Sequence, residues 1–295
     1  MDYIQSHIYR NMNIGISFPG LGKDLKEAYK KGIELKNKTQ ITAIEIWMAR
    51  LSGEKTILWP WEFTKDVIKE MKGFLDNFEY KGAHIPFACI NVVAPNPRIR
   101  EESIKQIEES IKVSGELGLN YVVTHMRYGA LVVSEEEEIR LYQEICAYFA
   151  ELSQKYNILF TIEDEPVKFS KVVEGVNSPN LGLTLDVGHC NGKGAWDNTP
   201  YKSTLEFIND KAHLIKHVHL HDNHGLKDEH LPPGEGNIDF PSIITLLINK
   251  GYDGGFILEC SLKEYGFERI KKAIDYIRNL ILCVKGGGVY EKESN

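Results

Sequence analysis

The sequence predicts a single (β/α)8 barrel, and three observations lead to it. Eight short β-rich runs alternate with helical stretches along the 295 residues, no linker or low-complexity segment interrupts them, and imidazole and carboxylate side chains recur where the runs end. A doubly wound open sheet is the other arrangement built from the same alternation.

The runs, in order, are Asn13–Phe18, Ala43–Trp47, Tyr80–Ile85, Tyr121–His125, Ile158–Glu163, Leu181–Val187, Ile215–His221 and Gly255–Cys260. Between them, apolar residues fall three or four apart, as in Ile139, Tyr142, Ile145, Phe149 and Leu152, which is the spacing of one helix face. Phe267, Ile270, Ile274, Ile277 and Ile281 repeat the pattern in a last helix that closes the structure. Gly118 in GELGLN and Gly251 in NKGYDGG stand where helices stop. The expected organisation is an N-terminal extension over 1–12, a barrel over 13–285 and a C-terminal tail over 286–295, with Met12 read as the functional start.

Composition narrows the class. At 42% hydrophobic, 26% charged and 10% aromatic residues, the chain is not disordered, collagen-like or mainly coiled coil. No window approaches the length of an apolar membrane span, and MDYIQSHIYRNMNIGISF lacks the basic-then-apolar pattern of a signal peptide. Forty-two acidic residues against 35 basic ones, a net charge of −7, argue against a nucleic-acid coat or an anionic membrane surface. A local basic groove remains compatible with that charge. Cys89, Cys146, Cys190, Cys260 and Cys283 form no C-x-x-C pair and are odd in number, which reads as reduced thiols in a cytoplasmic enzyme.

In a barrel of this kind the carboxyl ends of the strands face the active-site mouth. The runs deliver His84, His125, Glu163, Asp186, His189, His219 and Glu259 there, and the loop KDEHLPPGEGNID adds Asp228 and His230. Nine oxygen and nitrogen donors without sulfur suit zinc, manganese or a similar divalent ion. Carboxylates gathered in a buried mouth need a cation or a proton to coexist. Taken singly, a strand-end histidine such as His84 or His125 is more often a hydrogen-bonded structural residue; the convergence carries the metal reading. His217, His219 and His221 share one face of their strand, and His219 is taken as the ligand. Asp222 either orients a ligand or caps the following loop. His7, His213 and His224 read as surface or structural, and Cys190 and Cys260 as packing. PPGEG reads as a turn rather than a phosphate cradle, and no G-x-S-x-G elbow is present.

The ordered series H-x-P at His84, VVTH at His125, IED at Glu163, LDVGH at Asp186 and His189, HVHLHD at His219, DEHLPPGEGNID at Asp228 and His230, and LEC at Glu259 resembles the xylose isomerase-like barrel superfamily. The resemblance runs from about Asn13 to Ile281 and implies one of two activities. In the sugar isomerase and epimerase branch, one divalent ion is held by Glu163, Asp186, His219 and Glu259. The two glutamates, Glu163 and Glu259, then move a proton on opposite faces of an enediolate, and His189 contacts a sugar hydroxyl. In the endonuclease IV branch, all nine donors hold three zinc ions that serve phosphodiester cleavage at abasic sites in DNA.

The texture of HLPPGEGNID and of strands 5 to 8 favours the sugar branch, with a small carbohydrate as partner, no membrane, and a homo-oligomer compatible with the reading. DNA is a partner only under the alternative. Arg127, beside His125, is the expected anion contact. Lys227 stands in a loop where ketose epimerases usually carry an Arg, and there is no Arg between His217 and Glu259. Trp47 is assigned to the substrate pocket, and the Trp59/Trp61 pair suits either a sugar pocket or DNA. Phe169 stands where a further Glu of those epimerases is expected. On the other side, His125–Met126–Arg127 and Glu163–Asp164–Glu165 replace the H-P-G and E-N-T of the endonuclease pattern, and the added acids would repel a phosphate backbone.

Overall fold

The computed structural model describes residues 13–18, 20, 22–50, 55–126 and 133–286. The expected extension over 1–12, Arg127, and residues 287–295 of the expected tail lie outside the described residues.

Eight parallel strands follow one another in sequence order and close into a barrel. They are β1 (Ile14–Phe18), β2 (Ala43–Trp47), β3 (Tyr80–His84), β4 (Tyr121–Thr124), β5 (Leu159–Ile162), β6 (Leu181–Asp186), β7 (Ile215–Leu220) and β8 (Phe256–Leu258). Each lies within the run expected for it. Strand β6 is buried at all six positions, as a strand covered on both faces must be.

The helices are α1 (Leu25–Thr39), α2 (Lys65–Leu75), α3 (Pro97–Leu117), α4 (Glu135–Lys155), α5 (Pro166–Val176), α6 (Thr204–Lys211), α7 (Phe240–Asn249) and α8 (Leu262–Lys285). Their ends follow from local chemistry. Thr64, Ser134 and Ser261 accept the backbone N–H of Val67, Glu137 and Glu264, satisfying donors that a helix start leaves open. Four consecutive glutamates in the first turn of α4 suit the positive end of its dipole. Gly118 ends α3 in the left-handed region, at φ 71° and ψ 38°. On α4 the core face uses Tyr142, Cys146, Phe149 and Leu152, so Cys146 takes the buried place expected of Ile145.

Internal contacts group the described residues into two compact units, those within 17–34 with 43–185, and those within 13–16 with 35–42 and 186–286. In the first, β2 to β5 pair in register, with Ala43 opposite Tyr80, Gly82 opposite Tyr121 and Tyr121 opposite Leu159. Gly82 is required there, because a Cβ would stand 2.2 Å from the Tyr121 ring. Phe169 is fully buried on α5, 5.1 Å from the Tyr142 ring, and so belongs to the core rather than to a site. In the second unit, β1 pairs with β8 from Ile14 opposite Phe256 and β7 pairs with β8 from Val218 opposite Phe256. Arg278 of α8 donates to the Thr39 carbonyl at 2.6 Å, tying the last helix to the end of α1. Among the described residues, no helix is long and apolar enough to cross a membrane.

Candidate metal centre

Three groups of donors form within the units, one in the first and two in the second. In the first, His84 is the last residue of β3, His125 follows β4 and Glu163 follows β5. All three are buried, and the Nε2 atoms of both histidines face Glu163 Oε2, at 3.6 and 3.8 Å. These spacings are long for hydrogen bonds. They are close to the separation of about 3.4 Å between neighbouring ligand atoms around a tetrahedral zinc with bonds of about 2.1 Å.

The donors are held from behind. His125 Nδ1 lies 3.1 Å from Asp164 Oδ1, and Asp164 Oδ2 accepts the Met126 N–H at 2.7 Å. Tyr142 donates to the Met126 carbonyl at 2.9 Å, so the turn after β4 is anchored to α4. Aromatic rings wall the group. Phe87 stands 4.8 Å from both histidine rings and Trp47 5.3 Å from that of His84. The Trp47 indole donates to Ser17 Oγ at 2.6 Å, and Ser17 donates to the buried Glu45 at 2.9 Å. Trp47 therefore stands beside the His84 ring.

In the second unit, Asp186 ends β6, and its Oδ1 accepts the His189 N–H at 2.7 Å. Asp186, His219 of β7 and Glu259 after β8 each bring a ligand atom within 4.8 Å of the others, with His219 Nδ1 3.8 Å from Glu259 Oε2. A further set lies nearer the surface, made of His189, His221, Asp228 and His230, whose ligand atoms also fall within 4.8 Å of one another. Asp228 Oδ2 is 3.2 Å from His189 Nε2 and 3.3 Å from His230 Nε2, and His221 Nε2 is 3.0 Å from Asp186 Oδ1. His230 Nδ1 faces the Glu259 carbonyl at 2.8 Å, so a proton on that nitrogen leaves Nε2 able to act as a ligand.

Charge is tightly coupled in this set. Hydrogen bonds from His189 and then His230 hold Asp228 well below the usual carboxylate range. Burial works to lower His230, but the bond to Asp228 and the charge of Glu259 outweigh it and raise it to about 9.

His221 was not among the expected ligands. The cue available in the sequence was its place two residues after His219 on the same strand face. Its position also explains the Gly of LDVGH. An ideal Cβ on Gly188 would stand 2.0 Å from the His221 ring. His217 is fully buried one alternation deeper, its ring 5.0 Å from that of His219.

The structure resolves the two roles open for Asp222. It is a loop clasp. Its Oδ1 accepts the N–H groups of Asn223 and Ile238 at 2.9 and 3.2 Å, and its Oδ2 those of Gly234 and Gly236 at 2.9 and 2.8 Å. Paired backbone bonds with Leu231 add to this. The PPGEG turn is thereby folded back, and the same clasp secures the segment bearing Asp228 and His230. Lys227 lies exposed in that segment. His213 and His224 are exposed, as expected, and Cys190 and Cys260 are buried.

The chain is 31% identical over 212 residues to the uncharacterized protein MJ1311 of Methanocaldococcus jannaschii, covering 65% of this chain and 68% of that one. It is 27% identical over 212 residues to a probable endonuclease 4 of Aquifex aeolicus, covering 64% and 73% of the two chains. The solved structure of a D-tagatose 3-epimerase-like protein superposes with a TM-score of 0.74 at 25% identity, over 94% of this chain and 99% of that one. The xylose isomerase-like TIM barrel family matches residues 37–280, and the chain belongs to that family.

Proposed function

We propose that the chain is a divalent-metal-dependent isomerase or epimerase acting on a sugar or sugar phosphate. The observation that carries this reading is the donor set at the ends of consecutive strands. Asp186, His219 and Glu259 converge within 4.8 Å, and Glu163, which follows the neighbouring strand β5, is taken as the fourth member. Three carboxylates and an imidazole would repel or strand charge without a cation, and as oxygen and nitrogen donors they fit zinc or manganese.

When bound, the ion polarises a substrate carbonyl and hydroxyl and so acidifies the neighbouring C–H. The chain supplies the rest. One of Glu163 and Glu259 takes the proton from the carbon on one face, and the other returns a proton on the opposite face. His189 contacts a sugar hydroxyl, while Trp47 offers an indole face to ring C–H groups. Arg127 and the exposed Lys227 are assigned to an anionic substituent such as a phosphate. The similarity to an epimerase-like structure supports the reaction class, and a cytoplasmic setting agrees with the five free cysteines.

The test is direct. Protein stripped with a chelator and reloaded with zinc or manganese is offered ketoses, aldoses and their phosphates in deuterated water. Epimer formation and deuterium uptake are followed by NMR. The metal-loaded protein should exchange and invert one carbon-bound proton, and Glu163→Gln and Glu259→Gln should each lose turnover by about a hundredfold or more with an unchanged circular dichroism spectrum. Normal turnover in either variant sinks the two-glutamate scheme.

A second reading, a zinc phosphodiesterase acting on abasic DNA, is favoured by one observation. His84, His125 and Glu163, and separately His189, His221, Asp228 and His230, form further donor groups, enough for more than one ion. Nicking of a duplex with a single abasic site, lost in Glu259→Gln, would establish this reading in place of the first.

A further inference from the structure

The loop between β2 and α2 carries a feature that the donor groups do not use. Trp59 and Trp61 flank Pro60 with their indoles stacked, centroids 5.2 Å apart and planes 4° from parallel. Pro60 is buried, while Trp61 is 54% exposed. The backbone beneath is clamped. Glu62 accepts the Trp59 N–H at 2.7 Å and an Arg50 guanidinium N–H at 2.7 Å, and Arg50 Nε donates to the Ile57 carbonyl at 2.9 Å. A bulky indole kept half in water adds little to the core, and one held rigid binds a planar partner with little ordering cost.

Two kinds of ligand stack on such a face, nucleobases and the C–H faces of sugar rings. A nucleic acid also needs free cations for its phosphates. Arg50 is committed to Glu62 and Ile57, and the segment Met48–Phe63 balances Arg50 and Lys55 against Glu54 and Glu62. Its net charge is zero, which suits a neutral ligand. The loop follows directly from Trp47, whose ring stands beside His84.

We infer that Trp61, backed by Trp59, is a stacking subsite for a pyranose ring of a neutral saccharide, so that the substrate is a glycoside or oligosaccharide carrying a ring beyond the one that reacts. The inference rests on the carbohydrate reading above, but it commits only to binding.

The test therefore needs neither metal nor turnover. Cellobiose and maltose are titrated into the full chain, and the indole N–H signals are followed by NMR in wild type, Trp61→Ala and Trp61→Phe. One disaccharide should bind saturably, about fivefold or more weakly in Trp61→Ala, with part of the affinity kept in Trp61→Phe. Absence of saturable binding by both disaccharides, or equal affinity in Trp61→Ala, overturns the subsite. So does binding of a single-stranded oligonucleotide, or self-association in sedimentation, that Trp61→Ala abolishes. Turnover of a monosaccharide without disaccharide binding removes the subsite and leaves the proposed reaction standing. Disaccharide binding in a protein with no isomerase activity keeps the subsite and counts against the reaction.

Discussion

Asp164 and His125 are joined by a 3.1 Å contact between Oδ1 and Nδ1, while the other carboxylate oxygen of Asp164 holds the Met126 N–H at 2.7 Å. One acid thus fixes both the imidazole and the backbone that carries it. A carboxylate behind a histidine sets the tautomer and strengthens the far nitrogen as a ligand. Here that nitrogen is the one facing Glu163.

Asp164→Asn should keep the bond to Met126 and lose the charge behind His125. Zinc affinity at the His84, His125 and Glu163 group is expected to fall about 10- to 100-fold, with little change in thermal stability. Calorimetric titration of the chelated protein measures this, and unchanged affinity would remove Asp164 from the support of His125.

Gly188→Ala places a methyl where the His221 ring now stands, 2.0 Å from its nearest atom. His221 must leave Asp186, and the outer donor set loses a member. The metal count per chain by elemental analysis, or the affinity of the weakest site, should drop in this variant while the His84, His125 and Glu163 group keeps its own. Full retention at the outer set would exclude His221 from it.

Asp222→Ala removes a buried carboxylate and leaves four backbone N–H groups without their acceptor. Losing a charged acceptor of this kind is expected to cost about 3 kcal/mol of stability. Denaturant unfolding supplies the number. A loss below about 0.5 kcal/mol, the scale of an ordinary surface change, would contradict the clasp.

In the metal-free protein, the His230–Asp228 pair makes stability depend on pH. His230 is raised from 6.5 to about 9, so its contribution is complete below about pH 6.5 and is lost as pH rises through about 9. Asp228 is lowered from 3.8, so its contribution is present above about pH 3.8 and is lost on further acidification. Between these limits the pair contributes most. Chelated protein should melt at a lower temperature at about pH 10 than at about pH 6, and His230→Ala should flatten that difference. An equal slope in wild type and variant would assign the pH dependence to other groups.

Much of this molecule is local and therefore legible in the sequence. Strand and helix periods are set by neighbours within a few residues, so the eight runs and the ends that bear His84, His125, Glu163, Asp186 and Glu259 could be read in one dimension. Two-residue alternation also put His217, His219 and His221 on one face. Only the tertiary structure decided which of them meets which partner. The depth of a side chain depends on strand register and on the space that Gly188 leaves open, and neither is written in the residues of β7. The same holds for Asp222, three of whose four backbone donors lie 12 to 16 residues further along the chain. Asp164 reaches 39 residues back to His125. Phe169 shows the opposite case: a position where the family resemblance expects a site Glu became core, because α5 packs it against Tyr142. Sequence alone determined where chemistry could gather, since that follows from short-range periodicity. Folding decided how the donors are grouped, since that follows from contacts the chain makes only after it closes.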